Sequence, residues 1–338
     1  MQAFAALIDG LIYTRSRDLK IRLIADYLCV TPDPDRGWAL AALAGTLNIA
    51  TVKSAAIRAM AEERFDPMLF RMSRDYVGDT AETVALMWPD KSGGDAAPTV
   101  SEVIDLLNSI SRARAPAVLA ELMDRLDANG RYALLKLATG GMRVGISARL
   151  AKTAFGQAFG VSVDDVEEVW HALRPPYSEL FAWGEGKTER PDPADSAFFR
   201  PFMLAHPLED GNVNLDDFVA EWKWDGIRVQ LSAGPGGQRL WSRGAEDISA
   251  SFPEMMNGLD FHAVLDGELL VLRDGEVAPF ADLQQRLNRK SVTAKMQRDY
   301  PVGIRLYDML FEGDEDLRPL PFSVRRARLE AWYQRQQP

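Results

Sequence analysis

The stretch Glu221-Trp222-Lys223-Trp224-Asp225-Gly226-Ile227-Arg228 decides how this chain reads. Phe218, Glu221, Lys223, Ile227, Val229 and Leu231 form a strand-like run that Asp225-Gly226 interrupts. That run predicts strand on either side of an Asp-Gly turn, with Lys223 on the strand before it. A Lys-x-Asp-Gly alone is common, and its plain reading is an exposed lysine on a hairpin.

The downstream residues extend the pattern. Ser242-Arg243-Gly244 follows a glycine-rich connection. Asp266-Gly267-Glu268 lies between the apolar runs Ala263 to Leu265 and Leu269 to Leu272, and reads as a second Asp-Gly turn. Leu306-Tyr307-Asp308 falls in a further strand candidate, Ile304 to Leu310. Phe322 to Gln337 reads as a closing helix with Ser323 at its N-cap. Short strands separated by turns predict a mainly antiparallel α+β domain over residues 201–338.

Upstream the texture differs. Residues 1–185 are predicted all-α: Phe4, Leu7, Ile8, Leu11 and Ile12 recur at helical spacing, as do Val118, Leu119, Leu122 and Leu126. A helix is expected from Ser101 to Ser109 with Ser101 as a favourable cap but no capping box. Residues 186–200 are polar and proline-bearing, as expected of a linker. The 338 residues thus divide into two domains, and 47% hydrophobic composition lets each bury a core.

The net charge of −10 excludes a protein that coats nucleic acid through bulk charge. Residues 101–152 run against it, with eight basic side chains to five acidic ones. That excess is either a solvated helix face or a local nucleic-acid surface. The lone Cys29 excludes an internal disulfide, and three histidines, His171, His206 and His262, form no zinc pattern. The amino terminus carries Asp9 within its apolar stretch and reads as an amphipathic helix, not a signal peptide. A soluble, cytoplasmic protein is expected, without membrane association.

The ordered set Lys223-x-Asp225-Gly226-x-Arg228, Arg243-Gly244, Asp266-Gly267-Glu268 and Tyr307-Asp308 resembles the covalent nucleotidyltransferase superfamily of ATP-dependent DNA ligases, RNA ligases and mRNA-capping enzymes. The resemblance implies that Lys223 attacks the α-phosphorus of ATP and holds AMP as a phosphoramidate. Lysine suits that step because nearby cations and partial burial lower its pKa, whereas arginine stays protonated. By the same resemblance Glu221 accepts from the adenine amino group, and Arg228 and Arg243 contact ribose and phosphates. Glu268 is a ribose-side or metal-side carboxylate for Mg²⁺, and Tyr307 stacks on adenine. Asp225 and Gly226 shape the loop; Asp266 holds the turn before Glu268, and Asp308 is a strand-end cap. Met203-Leu204-Ala205 is similar to a run preceding this motif in DNA ligases, with Phe202 where those enzymes have proline. Phe280 to Arg286 is similar to a helix that follows the carboxylate motif there.

The helical half agrees. Leu135 to Gly160 resembles the amino-terminal DNA-binding domain of ATP-dependent ligases. In it Gly140, Gly141 and Gly145 allow close approach to phosphate, and Arg143, Arg149 and Lys152 supply charge. A glycine kink between packed helices is the structural alternative. Thr31 to Gly45 and Asp75 to Pro89 look like the bacterial ligases of the cisplatin-damage-response type. NAD-dependent ligases share the lysine motif only and carry a four-cysteine zinc site.

The family's later Glu-Gly and paired-lysine motifs and its OB-fold domain have no counterpart past Asp308, so the adenylation domain is expected to be incomplete. The implied function is ATP-dependent sealing of nicked duplex DNA in repair, replication and recombination, with ATP and Mg²⁺, by a monomer. Two alternatives stay open: a shortened chain that grips nicked duplex without sealing it, and an RNA ligase or capping-type enzyme.

Overall fold

The structure, a computed structural model, describes residues 1–90, 96–142, 144–191, 197, 199–205, 214–287, 289 and 292–336. The chain forms two compact units, Met1–Pro191 and Asp192–Pro338.

The regular elements among the first unit's described residues are all helices. They comprise α1 (Gln2–Tyr13), α2 (Arg17–Val30), α3 (Asp35–Leu43), α4 (Ser54–Arg64), α5 (Pro67–Val77) and α6 (Thr80–Met87). These are followed by α7 (Val100–Ser109), α8 (Ala115–Asp124), α9 (Ala128–Thr139), α10 (Ala148–Phe159), α11 (Val163–Trp170) and α12 (Ser178–Gly184). The apolar stripe drives the packing: Phe4, Ile8 and Leu11 of α1 are no more than 1% exposed. Each fully buried side chain of this kind contributes about 1.5–3 kcal/mol relative to exposure. α9 lies against α1 and α6, and α10 against α2. Arg36 is buried in α3, pairs with Asp33 and with Glu185 beyond α12, and sits 4.3 Å above the Phe181 ring.

Polar side chains close the helix starts, where backbone N–H groups lack intrahelical partners. Ser16, Asp66, Asp79, Asp127, Ser147 and Ser162 each accept from the first turn of the helix that follows. The cap of α7 is Thr99 rather than Ser101. Thr99 and Glu102 form a reciprocal capping box, while Ser101 hydrogen-bonds Asp35. Thr99→Ala is therefore expected to destabilise the first unit by about 1 kcal/mol, read as a lower denaturant midpoint at unchanged slope.

The second unit is an antiparallel sheet with helices on one face. Its strands are β1 (Ile227–Gly234), β2 (Gly237–Ser242), β3 (Ala263–Arg273), β4 (Glu276–Val277), β5 (Val302–Glu312) and β6 (Glu315–Asp316). The order is β2-β1-β3-β5-β6, and β4 pairs with β3. Three helices complete it: α13 (Phe280–Gln284), α14 (Ala294–Asp299) and α15 (Phe322–Gln336). Ser323 lies inside α15, not at its cap.

Two further details differ from the sequence reading. β1 begins at Ile227, so Lys223 lies on an irregular segment before the strand. β3 runs unbroken through Asp266-Gly267, where a turn was expected. Gly267 is needed there for close approach, since a Cβ would stand 2.6 Å from the Arg305 carbonyl oxygen of β5.

Alternation divides the two faces of the sheet. Val229 and Leu231 of β1, Leu265, Leu269 and Val271 of β3, Met309 of β5 and Leu329 and Trp332 of α15 form the core. Arg228 and Gln230 of β1 and Asp266 and Glu268 of β3 fall at the alternate positions, on the other face. No helix among the described residues is long and apolar enough to cross a membrane.

Candidate adenylation site

The second unit gathers most of the motif residues on that polar face. Arg228 stands directly across from Glu268, and Gln230 from Asp266, in the β1–β3 ladder. Arg228 grips Asp266 through a fork, Nε to Oδ1 at 3.1 Å and Nη2 to Oδ2 at 2.7 Å. Asp266 is fully buried. Such paired, charge-assisted bonds fix orientation as well as charge. Arg228 also donates to the Met203 carbonyl at 2.8 Å, and its guanidinium lies 4.6 Å from the Phe202 ring and 5.6 Å from the Tyr307 ring.

Tyr307 owes its place to a bulge. Asp266 pairs with Asp308 but Gly267 with Leu306, which leaves Tyr307 as the extra residue of β5. Its hydroxyl is hydrogen-bonded to Asp266, and burial raises its pKa. Glu268 is half-buried and accepts from the Gly226 backbone N–H; burial raises its pKa, while the charges of Arg228 and Lys223 oppose that.

The lysine loop docks through Gly226. A Cβ there would lie 2.4 Å from the Leu269 carbonyl oxygen and 2.9 Å from Glu268 Cγ. Gly226→Ala is expected to displace the loop and weaken any nucleotide binding at least tenfold, measurable by calorimetric titration, because only glycine fits so close to a strand. Lys223 itself is exposed, flanked by Trp222, 83% exposed, and by Trp224, which packs under the Arg305 guanidinium at 4.9 Å.

Glu221 and Arg243 stand apart from the fork. Glu221 meets Arg326 of α15, Oε1 to Nη1 at 3.4 Å. Arg243 is exposed on the turn after β2, beside Ala245 with φ of 62°.

The sequence reading assigned bland roles to two carboxylates that do more. Asp266 is the buried anchor of Arg228, not a turn residue. Asp308 is not a strand-end cap but forms a buried pair with Arg325 of α15, with contacts of 2.8–3.1 Å. Burial, then the nearby Asp308 charge, pushes the Asp266 carboxyl up to about 6 against the lowering by Arg228. A folded pKa above the unfolded one means that the stability from this group is complete below pH 3.8 and is lost as pH rises through about 6. The Arg228 fork, by contrast, needs the ionised form and loosens as pH falls below that point. A carbon-detected NMR titration should place the Asp266 midpoint near 6; a midpoint near 3.8 would refute it.

For Mg²⁺, the donor set is thin. Among the described residues no group of three or more His, Cys, Asp or Glu is placed to hold a metal ion. Magnesium commonly takes one or two carboxylates and fills its shell with phosphates and water. Glu268 therefore fits such an ion only alongside a bound triphosphate.

In the first unit, Arg149 is exposed at the start of α10 and pairs with Glu167 at 3.2 Å and Asp164 at 3.7 Å. Lys152 is buried on the same helix, its amine 5.2 Å from the Trp170 ring, so the expected surface cation does not face solvent. Burial lowers its pKa. Arg143 lies outside the described residues. Gly140 and Gly145 both have positive φ, and Gly140 closes α9 as its C-cap. Lys20 of α2 holds the next turn by donating to the Val144 carbonyl at 2.8 Å.

Residues 202–338 match the family model described as ATP dependent DNA ligase domain. That match takes in all but the first ten residues of the second unit. A probable DNA ligase of Koribacter versatilis is 27% identical, across 98% of this chain and 60% of its own length. DNA ligase 1 of Korarchaeum cryptofilum is 30% identical, across 69% of this chain and 45% of its own. A solved structure of mycobacterial DNA ligase D complexed with ATP and MES is 32% identical over 34% of this chain and 36% of its own, with a TM-score of 0.28. The chain spans about half the length of the curated relatives it matches.

Proposed function

We propose that this chain supplies the DNA-binding and lysine-adenylation parts of an ATP-dependent DNA ligase. The observation that carries the reading is the cluster of Arg228, Asp266, Glu268 and Tyr307 on one sheet face, beside the loop that bears Lys223.

The Lys223 amine, once deprotonated, attacks the α-phosphorus of ATP. A nitrogen–phosphorus bond forms, the bond to pyrophosphate breaks, and AMP stays on the lysine. The 5′-phosphate of a nick then attacks that AMP and frees the amine. The 3′-hydroxyl attacks the activated phosphate, and AMP leaves as the nick closes. Arg228, held by Asp266, presents a fixed positive charge toward ribose and phosphate, and exposed Arg243 adds a movable one. The Tyr307 ring offers a flat face to adenine, and Glu221 an acceptor to its amino group. Bound beside Glu268, Mg²⁺ would neutralise phosphate charge.

The helical unit, through Arg143 and Arg149, is the proposed contact to duplex DNA. Phosphate contacts of this kind weaken with salt, and removing one flattens that dependence. Lys152 has a positioning role in α10 on this reading. The reading is tested by incubating the chain with Mg²⁺ and α-labelled ATP, then running a denaturing gel. An acid-labile labelled protein band supports it; its absence at saturating ATP counts against adenylation by this chain.

A further inference from the structure

Arg326 projects from the second turn of α15 into a junction of three elements. Its Nη1 lies 3.4 Å from Glu221 Oε1 and 3.3 Å from the Tyr307 carbonyl oxygen. Its Nε donates to Glu330 one helical turn on, at 3.0 Å, which orients the guanidinium plane along the helix. One cation thus touches the segment before Lys223 and the strand residue whose ring lies beside Arg228. Glu221 sits on irregular backbone and is exposed, so its carboxylate has no strand partners to hold it.

We infer that Arg326 is a positioning residue for nucleotide selection. It fixes one carboxylate oxygen of Glu221 and leaves the other aimed to accept from an exocyclic amino group on a purine. The inference rests on the ATP-dependent reading above and adds a residue to it. A carboxylate accepts hydrogen bonds and donates none. Adenine offers an amino donor at its six-position, whereas guanine offers a carbonyl there, which a fixed carboxylate repels. Freed from Arg326, the Glu221 side chain turns among rotamers, and ordering it on binding costs affinity. Selection then weakens with little change in the fold, since Arg326 is 39% exposed.

The test is calorimetric titration of the chain with ATP and with GTP, in a Lys223→Ala background that stops turnover. Arg326→Ala is expected to raise the ATP dissociation constant about tenfold, leave that for GTP within about twofold, and so collapse the preference. Arg326→Lys, which keeps a cation within reach, should recover most of it. Glu221→Gln should lose the preference too, and adding Arg326→Ala to it should change little further. A preference unaltered in Arg326→Ala overturns the inference, as does an equal loss of both nucleotides, which would mark a structural role. If the Arg326-bearing chain binds neither nucleotide, the ATP-dependent reading itself falls and takes the inference with it.

Discussion

Lys223→Ala is expected to remove AMP transfer to the protein altogether, a loss on the order of 10⁴-fold or more, the scale seen when a covalent nucleophile is deleted. The argument is chemical. A phosphoramidate needs a nitrogen with a free electron pair, and alanine has none. Lys223→Arg sharpens the test, because it keeps the positive charge and length but stays protonated at any working pH. It too should fail. Both variants should fold as the parent does, since Lys223 is exposed and makes no core contact. Duplex binding should persist in both. A labelled band that survives either substitution would show that the adenylated residue lies elsewhere.

Asp308→Ala should be the most damaging single change to the fold of the second unit, at about 3–5 kcal/mol. Asp308 and Arg325 are 4% and 5% exposed, and three contacts join them. Deleting the carboxylate strands a buried guanidinium, left with the Leu320 carbonyl as acceptor and the Phe322 ring 5.6 Å away. Replacing both members, Asp308→Leu with Arg325→Met, should recover much of the loss, because no unpaired charge is then left inside. Urea melts of the two variants would check the ordering. Equal losses in the single and double variants would mean the pair is valued for shape rather than charge.

The helical half was legible because its information is local. The 3.6-residue stripe of α1 is the face that packs. The α7 cap is local too: Thr99 followed three residues on by Glu102 is the capping-box spacing, which Ser101 lacks. The sheet was legible in outline only. Asp266-Gly267 has the composition of a turn, yet β3 continues through it because the neighbouring strand comes so close. Alternation around Lys223 reads as strand, but no strand among the described residues pairs with that segment. Least visible were the ion pairs. Asp308 to Arg325 spans 17 positions and Glu221 to Arg326 spans 105, so each residue alone looked like an ordinary helix or strand charge. The Asp266 anchor was hidden in the same way.

β5 is broken twice in its register against β3, once between Asp266 and Gly267 and once between Val264 and Leu265. Each break adds one residue to β5, Tyr307 and Leu310. Two odd insertions cancel, so the ends of the strand agree about which side is inward while the short middle is turned over. That is why odd-numbered Met309 reaches the core that even-numbered Ile304 and Leu306 pack against. Length is therefore under tight control here. Losing one residue between 306 and 311 would invert an entire end of the strand, whereas many single replacements would leave both ends in place. Across descendants of this sequence, that segment should reject gaps.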